Sequence, residues 1–293
     1  MPSTRDIRRR IKSVKNTSQI TKAMQMVAAS KMRRAQQQAL AGRPYAELMN
    51  EVLAEVTAGA SDFSHPLMEP SGEGKKRALI VVSTDKGLCG ALNSNLLREA
   101  GKADRDQTVF ISAGRKAAQY LARTKRELLA EFSYKDSPEF AEARAISKLA
   151  QELFLKGEVS GVDILFTNFV TTLNQHPEIK PFLPVAEITG IKAGVEGSSS
   201  QQELKEGSQD FLFEPDAGSV LAELLPHYLN YQMYQILLES KASEHSARMV
   251  AMKNATDNAN QLIKDLTLEY NKLRQAMITN ELLEITSAAM ALG

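Results

Sequence analysis

Residues 227–292 run for 66 positions without a glycine or a proline. At about 1.5 Å per residue, one helix of that length is roughly 100 Å long. A compact globule of 293 residues has a radius of gyration of about 19 Å, hence a diameter of about 50 Å. No globule of that size contains such a helix, so the helix needs a partner along its length. Met252, Ala255, Ala259, Leu262 and Leu266, then Tyr270, Leu273 and Met277, follow steps of three and four with one irregular step. That spacing reads as a coiled-coil seam.

The other end of the chain supplies the partner. Residues 3–41 also lack glycine and proline, and Ile7, Ile11 and Val14, then Ile20, Met24 and Val27, each recur at 4–3 spacing. Such triplets share one helical face. Ser3 or Thr4 is a candidate cap, and Asp6 suits the first turn. Gly42 and Pro44 interrupt the pattern, which resumes through Tyr45, Leu48, Met49, Val52 and Val56 before the linker at 59–75. The expected arrangement is an antiparallel pair of terminal helices, 1–58 and 211–293, projecting from a central domain at 76–190.

That central stretch changes character. Apolar runs at 78–82, 109–111 and 162–170 alternate with helical patterns at 93–100, 115–123 and 138–156. Strand–helix alternation predicts an α/β, Rossmann-like domain with a largely parallel sheet. The Gly/Ser-rich stretch at 191–210 reads as an exposed loop.

The net charge of +1 conceals an asymmetry. Residues 1–43 carry eleven Lys/Arg and one acid, Asp6, and the remainder of the chain is mildly acidic. A basic, hydroxyl-rich opening is also the composition of a transit peptide. Here the pattern runs past residue 35 without a cleavage-like break. No stretch reaches the roughly 18 apolar residues that span a bilayer. One cysteine excludes an internal disulfide framework and a four-cysteine metal site.

The two ends of the predicted coil are more apolar than a two-helix seam requires. Residues 23–29, AMQMVAA, are apolar almost all round, and so are Ile278, Leu282, Leu283, Ile285 and the run 288–292. A free surface of that kind invites aggregation. Something is expected to enclose it, with the small alanines suiting a narrow bore and the methionines an adaptable contact. A helical bundle within the chain is the plainer alternative.

Three separated motifs carry a family resemblance. Ile7-Arg8-Arg9-Arg10-Ile11-Lys12-Ser13-Val14, with Ile20-Thr21-Lys22-Ala23-Met24 and Met26-Val27-Ala28-Ala29-Ser30-Lys31, forms the first. Asp85-Lys86-Gly87-Leu88-Cys89-Gly90-Ala91-Leu92-Asn93 is the second. The third is Ala247-Arg248-Met249-Val250-Ala251-Met252-Lys253, followed by Tyr270-Asn271-Lys272, Arg274-Gln275, Ile278-Thr279 and Glu284-Ile285. Together they resemble the F-type ATP synthase gamma subunit over the whole chain. Thr286-Ser287-Ala288 depart from the family's usual valine and Ser-Gly pair after the last Glu-Ile.

The resemblance implies a non-catalytic central rotor shaft with no cofactor. Its implied partners are a hexamer of alpha and beta subunits, the epsilon subunit and the membrane-embedded c-ring. Proton or sodium flow would turn the shaft and drive ATP synthesis. The implied place is the cytoplasmic side of a bacterial inner membrane, without a span. Carried over residue by residue, the ring contacts are Arg8, Arg9, Met24, Arg248, Arg274, Gln275 and Thr279. The loop of Asp85, Lys86, Gly87 and Cys89 is a subunit interface.

Catalytic readings find little footing. The 84–90 loop sits where α/β folds bind phosphates, but it has neither G-x-G-x-x-G nor a Walker pattern. His65, His176, His227 and His245 show no metal spacing. Two alternatives remain at this level. A nucleic-acid-binding protein would use the basic arm, and a coiled-coil scaffold would explain the helices but not an enclosed tip.

Overall fold

The computed structural model describes residues 3–59, 65–69, 76–185, 214 and 216–292. The element order is α1 (Thr4–Ala41), α2 (Arg43–Gly59), β1 (Arg77–Val82), α3 (Leu92–Lys102), β2 (Thr108–Ala113), α4 (Arg115–Arg123), β3 (Leu128–Phe132), α5 (Phe140–Leu155), β4 (Gly161–Phe169), β5 (Gln175–Leu183) and α6 (Ala217–Leu292). The expected loop at 191–210 and most of the expected linker at 59–75 lie outside the described residues. Two compact units divide the chain: residues 1–27 with 249–293, and residues 28–248. This division differs from the three sequence segments, because parts of both terminal helices belong with the sheet.

In the larger unit five strands form one sheet in the order β3-β2-β1-β4-β5. β1, β2, β3 and β4 pair in parallel, and β5 closes one edge antiparallel to β4. β1 is apolar at every buried position because both of its faces are covered. Ala78, Ile80 and Val82 point into a core shared with α2, α5 and α6, through Leu53, Ile146 and Leu229 among others. Leu79 and Val81 point the other way, against Leu96 of α3 and Leu121 of α4. The period-two alternation of a strand thus serves two helical layers at once.

β3 and β5 were not among the expected strands. β3, LLAEF, alternates between half-buried and exposed positions. Its apolar signal is therefore half that of a central strand. β5 carries Pro177 and Pro181, residues confined to sheet edges because they cannot donate to a ladder.

Local chemistry fixes the joints between strands and helices. Gly114, between β2 and α4, has φ of +111°, and a Cβ there would lie 2.2 Å from the Ser83 carbonyl oxygen. Only glycine lets α4 start so close to the end of β1. The Ala117 N–H then donates to Ser83 Oγ at 2.8 Å. Asp216 caps α6 by accepting from the Ser219 N–H at 2.9 Å and the Ser219 hydroxyl at 2.7 Å. This cap starts α6 ten residues earlier than the glycine- and proline-free run, with Pro226 inside the helix.

In the smaller unit α1 and α6 run antiparallel. Ser18 Oγ donates to Asn260 Oδ1 at 2.9 Å, and the Thr21 and Thr256 hydroxyls lie 2.8 Å apart. The Arg8 guanidinium bonds the Tyr270 hydroxyl and lies 5.3 Å from its ring centroid. Each advance along α1 matches an equal retreat along α6. In that register Thr4 falls opposite the residues near 274, and α6 continues for about five more turns.

Candidate partner-contact surfaces

The seam of the smaller unit differs from the sequence expectation in detail. Met252, Ala259 and Leu266 are buried and Ala255 is half-buried, but Leu262 is 39% exposed. Thr256 is buried and Ile263 half-buried, so the inward series is Met252, Thr256, Ala259, Ile263, Leu266, Tyr270, Leu273. Its steps alternate four and three without interruption, as a heptad seam does. The irregular step disappears because Ile263, not its neighbour Leu262, faces inward and Thr256 joins the series.

The matching face of α1 is Ile7, Ile11, Val14, Ser18, Thr21 and Gln25. Of the second expected triplet, Ile20 and Val27 are exposed and Met24 is half-buried. They lie off the seam because Ser18 and Thr21, hydrogen-bonded across it, hold the inward positions. Ile20, Met26 and Val27 therefore form an outward apolar face.

Beyond residue 274 the helix stands alone. Every residue from 275 to 290 is exposed, among them Ile278, Leu282, Leu283, Ile285 and Met290. Among the described residues none covers this stretch. Among the described residues there is no helical bundle around it, the plainer alternative. Arg274, Gln275 and Thr279 sit at the start of this overhang, all exposed, with the Thr279 hydroxyl donating back to the Gln275 carbonyl at 3.0 Å. Arg8 is drawn onto Tyr270 as described, and Arg9 is exposed, 3.9 Å from Asp6.

Arg248 turns toward its own unit. Its guanidinium donates to Glu244 Oε1 at 2.7 Å and to the Lys86 and Gly87 carbonyls at 3.4 and 3.3 Å. A guanidinium has five donors and no acceptor, and three carboxylate or carbonyl oxygens converge on it here. Sequence alone shows an exposed-looking charge on a long helix. The loop that captures it is some 160 residues away.

The loop after β1 is likewise more inward than expected. Asp85 Oδ1 accepts the Arg115 N–H at 2.9 Å, which ties the loop to the start of α4. Cys89 is 2% exposed, and its sulfur accepts from the Asn93 amide at 3.2 Å. Burial pushes its thiol pKa up. Cys89 is thus packed inside its own unit. Its neighbour Leu88 is 63% exposed with φ of +63°. In the same unit, Leu173 between β4 and β5 is 81% exposed. Both leucines stand beyond the C-terminal ends of neighbouring strands. Neither carries a charge or a spacing pattern that a sequence reading could seize.

Among the described residues no group of three His, Cys, Asp or Glu side chains is placed to hold a metal ion. None of the described helices is long and apolar enough to cross a membrane.

Comparison with known proteins decides the identity of this arrangement. The ATP synthase family model matches residues 3–292. A protein of Opitutus terrae named ATP synthase gamma chain is 49% identical over 297 residues, 99% of either chain.

The chain belongs to the ATP synthase gamma chain family.

A second gamma chain, from Methylacidiphilum infernorum, is 45% identical over the full length of both chains. The central stalk and c-ring structure of the Tetrahymena thermophila mitochondrial ATP synthase matches with a TM-score of 0.58 and 26% identity, over 80% of this chain and 99% of that one. The rotor of the Euglena gracilis mitochondrial enzyme shares the fold at a TM-score of 0.65 and 18% identity, over 94% and 98% of the two chains. Family membership removes the nucleic-acid and scaffold alternatives: this is a gamma subunit, a non-catalytic stalk component of ATP synthase.

Proposed function

We propose that this gamma chain turns inside a hexamer of alpha and beta subunits while seated on a c-ring, with epsilon beside its α/β unit. The observation that carries the reading is the bare end of α6. Residues 275–290 are exposed all round and rich in Ile, Leu and Met. A surface of that kind is stable in water only when another surface covers it, and a ring of subunits around a single helix does so. Arg274, Gln275 and Thr279, at the base of this stretch, contact beta loops. Arg274 has the fork geometry for a bidentate pair with a carboxylate. Arg9 and Met24 face the same ring, as do the outward Ile20, Met26 and Val27. Leu88 takes the interface place that sequence assigned to Cys89.

Where α1 and α6 pair, the coil's outward faces differ around its axis, so each beta subunit meets a different surface. Contacts that differ between beta conformations shift each site's equilibrium in turn. We place the subunit peripherally on the cytoplasmic side of a bacterial inner membrane. The near-full-length identity to the Opitutus terrae chain supports that placement.

Reconstitution tests the reading. Purified alpha and beta subunits are mixed with this chain, and ATP hydrolysis and complex size are measured. The expected result is one gamma chain per three alpha–beta pairs with multisite hydrolysis, and no ATP binding by the isolated chain in calorimetry. Failure to assemble, or micromolar ATP binding by the chain alone, contradicts it.

A further inference from the structure

In an open parallel sheet, ligands bind at the carboxyl ends of the strands where the strand order reverses. Here the order β3-β2-β1-β4-β5 reverses between β1 and β4. That crevice is filled by the chain's own helix. On the β4 side, Ser243 Oγ donates to the Thr167 carbonyl at 3.0 Å, Glu239 accepts the Phe169 N–H at 3.2 Å, and Ser246 Oγ donates to the Thr172 carbonyl at 2.7 Å. On the β1 side, Arg248 reaches the Lys86 and Gly87 carbonyls. Residues 240–246 of α6, SKASEHS, are all buried, although five of the six that are not alanine are charged or hydroxylic.

Polar residues buried this deeply cost stability unless they are paired. Glu244 pairs them. Its two oxygens accept separately, Oε2 from Lys241 at 3.0 Å and Oε1 from Arg248 at 2.7 Å, and the carboxylate is only 4% exposed. Lys241 also stands 4.5 Å from the Tyr134 ring centroid and 3.9 Å from Asp136. Asp136 in turn holds Lys31 of α1, and the Tyr134 hydroxyl donates to the Ser83 carbonyl at 3.0 Å, at the end of β1. Through Glu244 the network joins α6, α1 and the loops that follow β1 and β3.

We infer that Glu244 is a positioning residue that clamps helix α6 into the ligand crevice of the sheet, fixing the angle of the shaft helix in its α/β unit so that torque passes between them. A helix held by apolar contact alone can slip or turn under load, because such contacts are not directional. A carboxylate bonded on both oxygens allows one orientation. The inference rests on the rotor reading above and adds the joint through which the rotor carries load.

The test uses the complete, membrane-reconstituted ATP synthase with Glu244→Gln. ATP hydrolysis and ATP-driven ion pumping are measured on the same vesicles, together with the thermal stability of the isolated chain. Hydrolysis is expected to stay near the parental rate while ions pumped per ATP fall by about 2- to 30-fold, the range over which single residues alter coupling. A second variant, K241M/E244L, replaces the ion pair with apolar groups. Arg248 keeps the Lys86 and Gly87 carbonyls there but loses its carboxylate, so the chain is expected to fold with lower stability than the parent, with pumping still depressed. Parental pumping per ATP in a well-folded K241M/E244L complex overturns the inference. Loss of assembly in both variants overturns it too, since Glu244 would then serve folding. Failure of the parental chain to support pumping would instead strike at the rotor reading itself.

Discussion

His245 shows what burial does to one side chain of the shaft. It is 1% exposed, its Nδ1 lies 3.4 Å from Arg248, and among the described residues its Nε2 has no partner. Desolvation lowers its pKa to about 4, opposed by Glu244 and Asp136 and assisted by Arg248 and Lys241. The unfolded chain takes up this proton near pH 6.5, so the unfolded state binds more protons between pH 6.5 and 4. Stability is then fully present above pH 6.5 and falls as pH drops toward 4, by about 3 kcal/mol in the limit. Urea unfolding of the parental chain and of His245→Gln, measured from pH 7 to pH 4, should give curves that diverge through this window, the parent losing more. Parallel curves would mean that His245 titrates alike in the native and the unfolded chain. The loop after β1 makes a second residue-level contrast. Buried Cys89 should react with iodoacetamide far more slowly in the native chain than in urea, while Leu88→Cys in a Cys89→Ser background reacts at the rate of a free thiol. Fast native alkylation of Cys89 would contradict the packed assignment.

Single elements hold together by periodicity, and the coil makes the clearest case. Leu266 is buried on the seam and Leu262 is not. Leu266→Ala should cost about 2–5 kcal/mol, and Leu262→Ala well under about 1 kcal/mol, as surface substitutions do. Denaturant titration of the full chain distinguishes the two, and equal losses would restore the irregular seam. The same contrast explains what sequence revealed and what it hid. β1, β2 and β4 were legible because strands covered on both faces carry near-continuous apolar runs. β3 and β5 were hidden because edge strands are half exposed, and β5 carries two prolines. The long helix was legible from its unbroken run, but its first ten residues were masked by Pro226 and became part of the helix through the Asp216 cap. The Glu244–Arg248 pair is an i,i+4 spacing that sequence shows, but the capture of Arg248 by the Lys86 and Gly87 carbonyls was invisible, because that loop is distant in sequence.

At the scale of the whole molecule, sheet and coil divide the work. The sheet crevice that other α/β folds give to a ligand here holds a helix, and that helix continues into a bare apolar end. The family is that of a non-catalytic stalk subunit, so the work of the chain lies in its contacts. If the end lies in a ring of catalytic subunits, one shaft must visit every site in sequence, and a covalent bond from the shaft to one subunit stops all of them.

The most direct measurement forms that bond. Leu88→Cys in a Cys89→Ser chain is paired with a cysteine on a beta-subunit loop at a Cα separation of about 4.4–6.8 Å, as disulfides require. ATP hydrolysis by the assembled complex is followed after oxidation and again after reduction. Inhibition in proportion to cross-link yield, fully reversed by reduction, is the result the rotor account predicts. Undiminished hydrolysis in quantitatively cross-linked complex would contradict it.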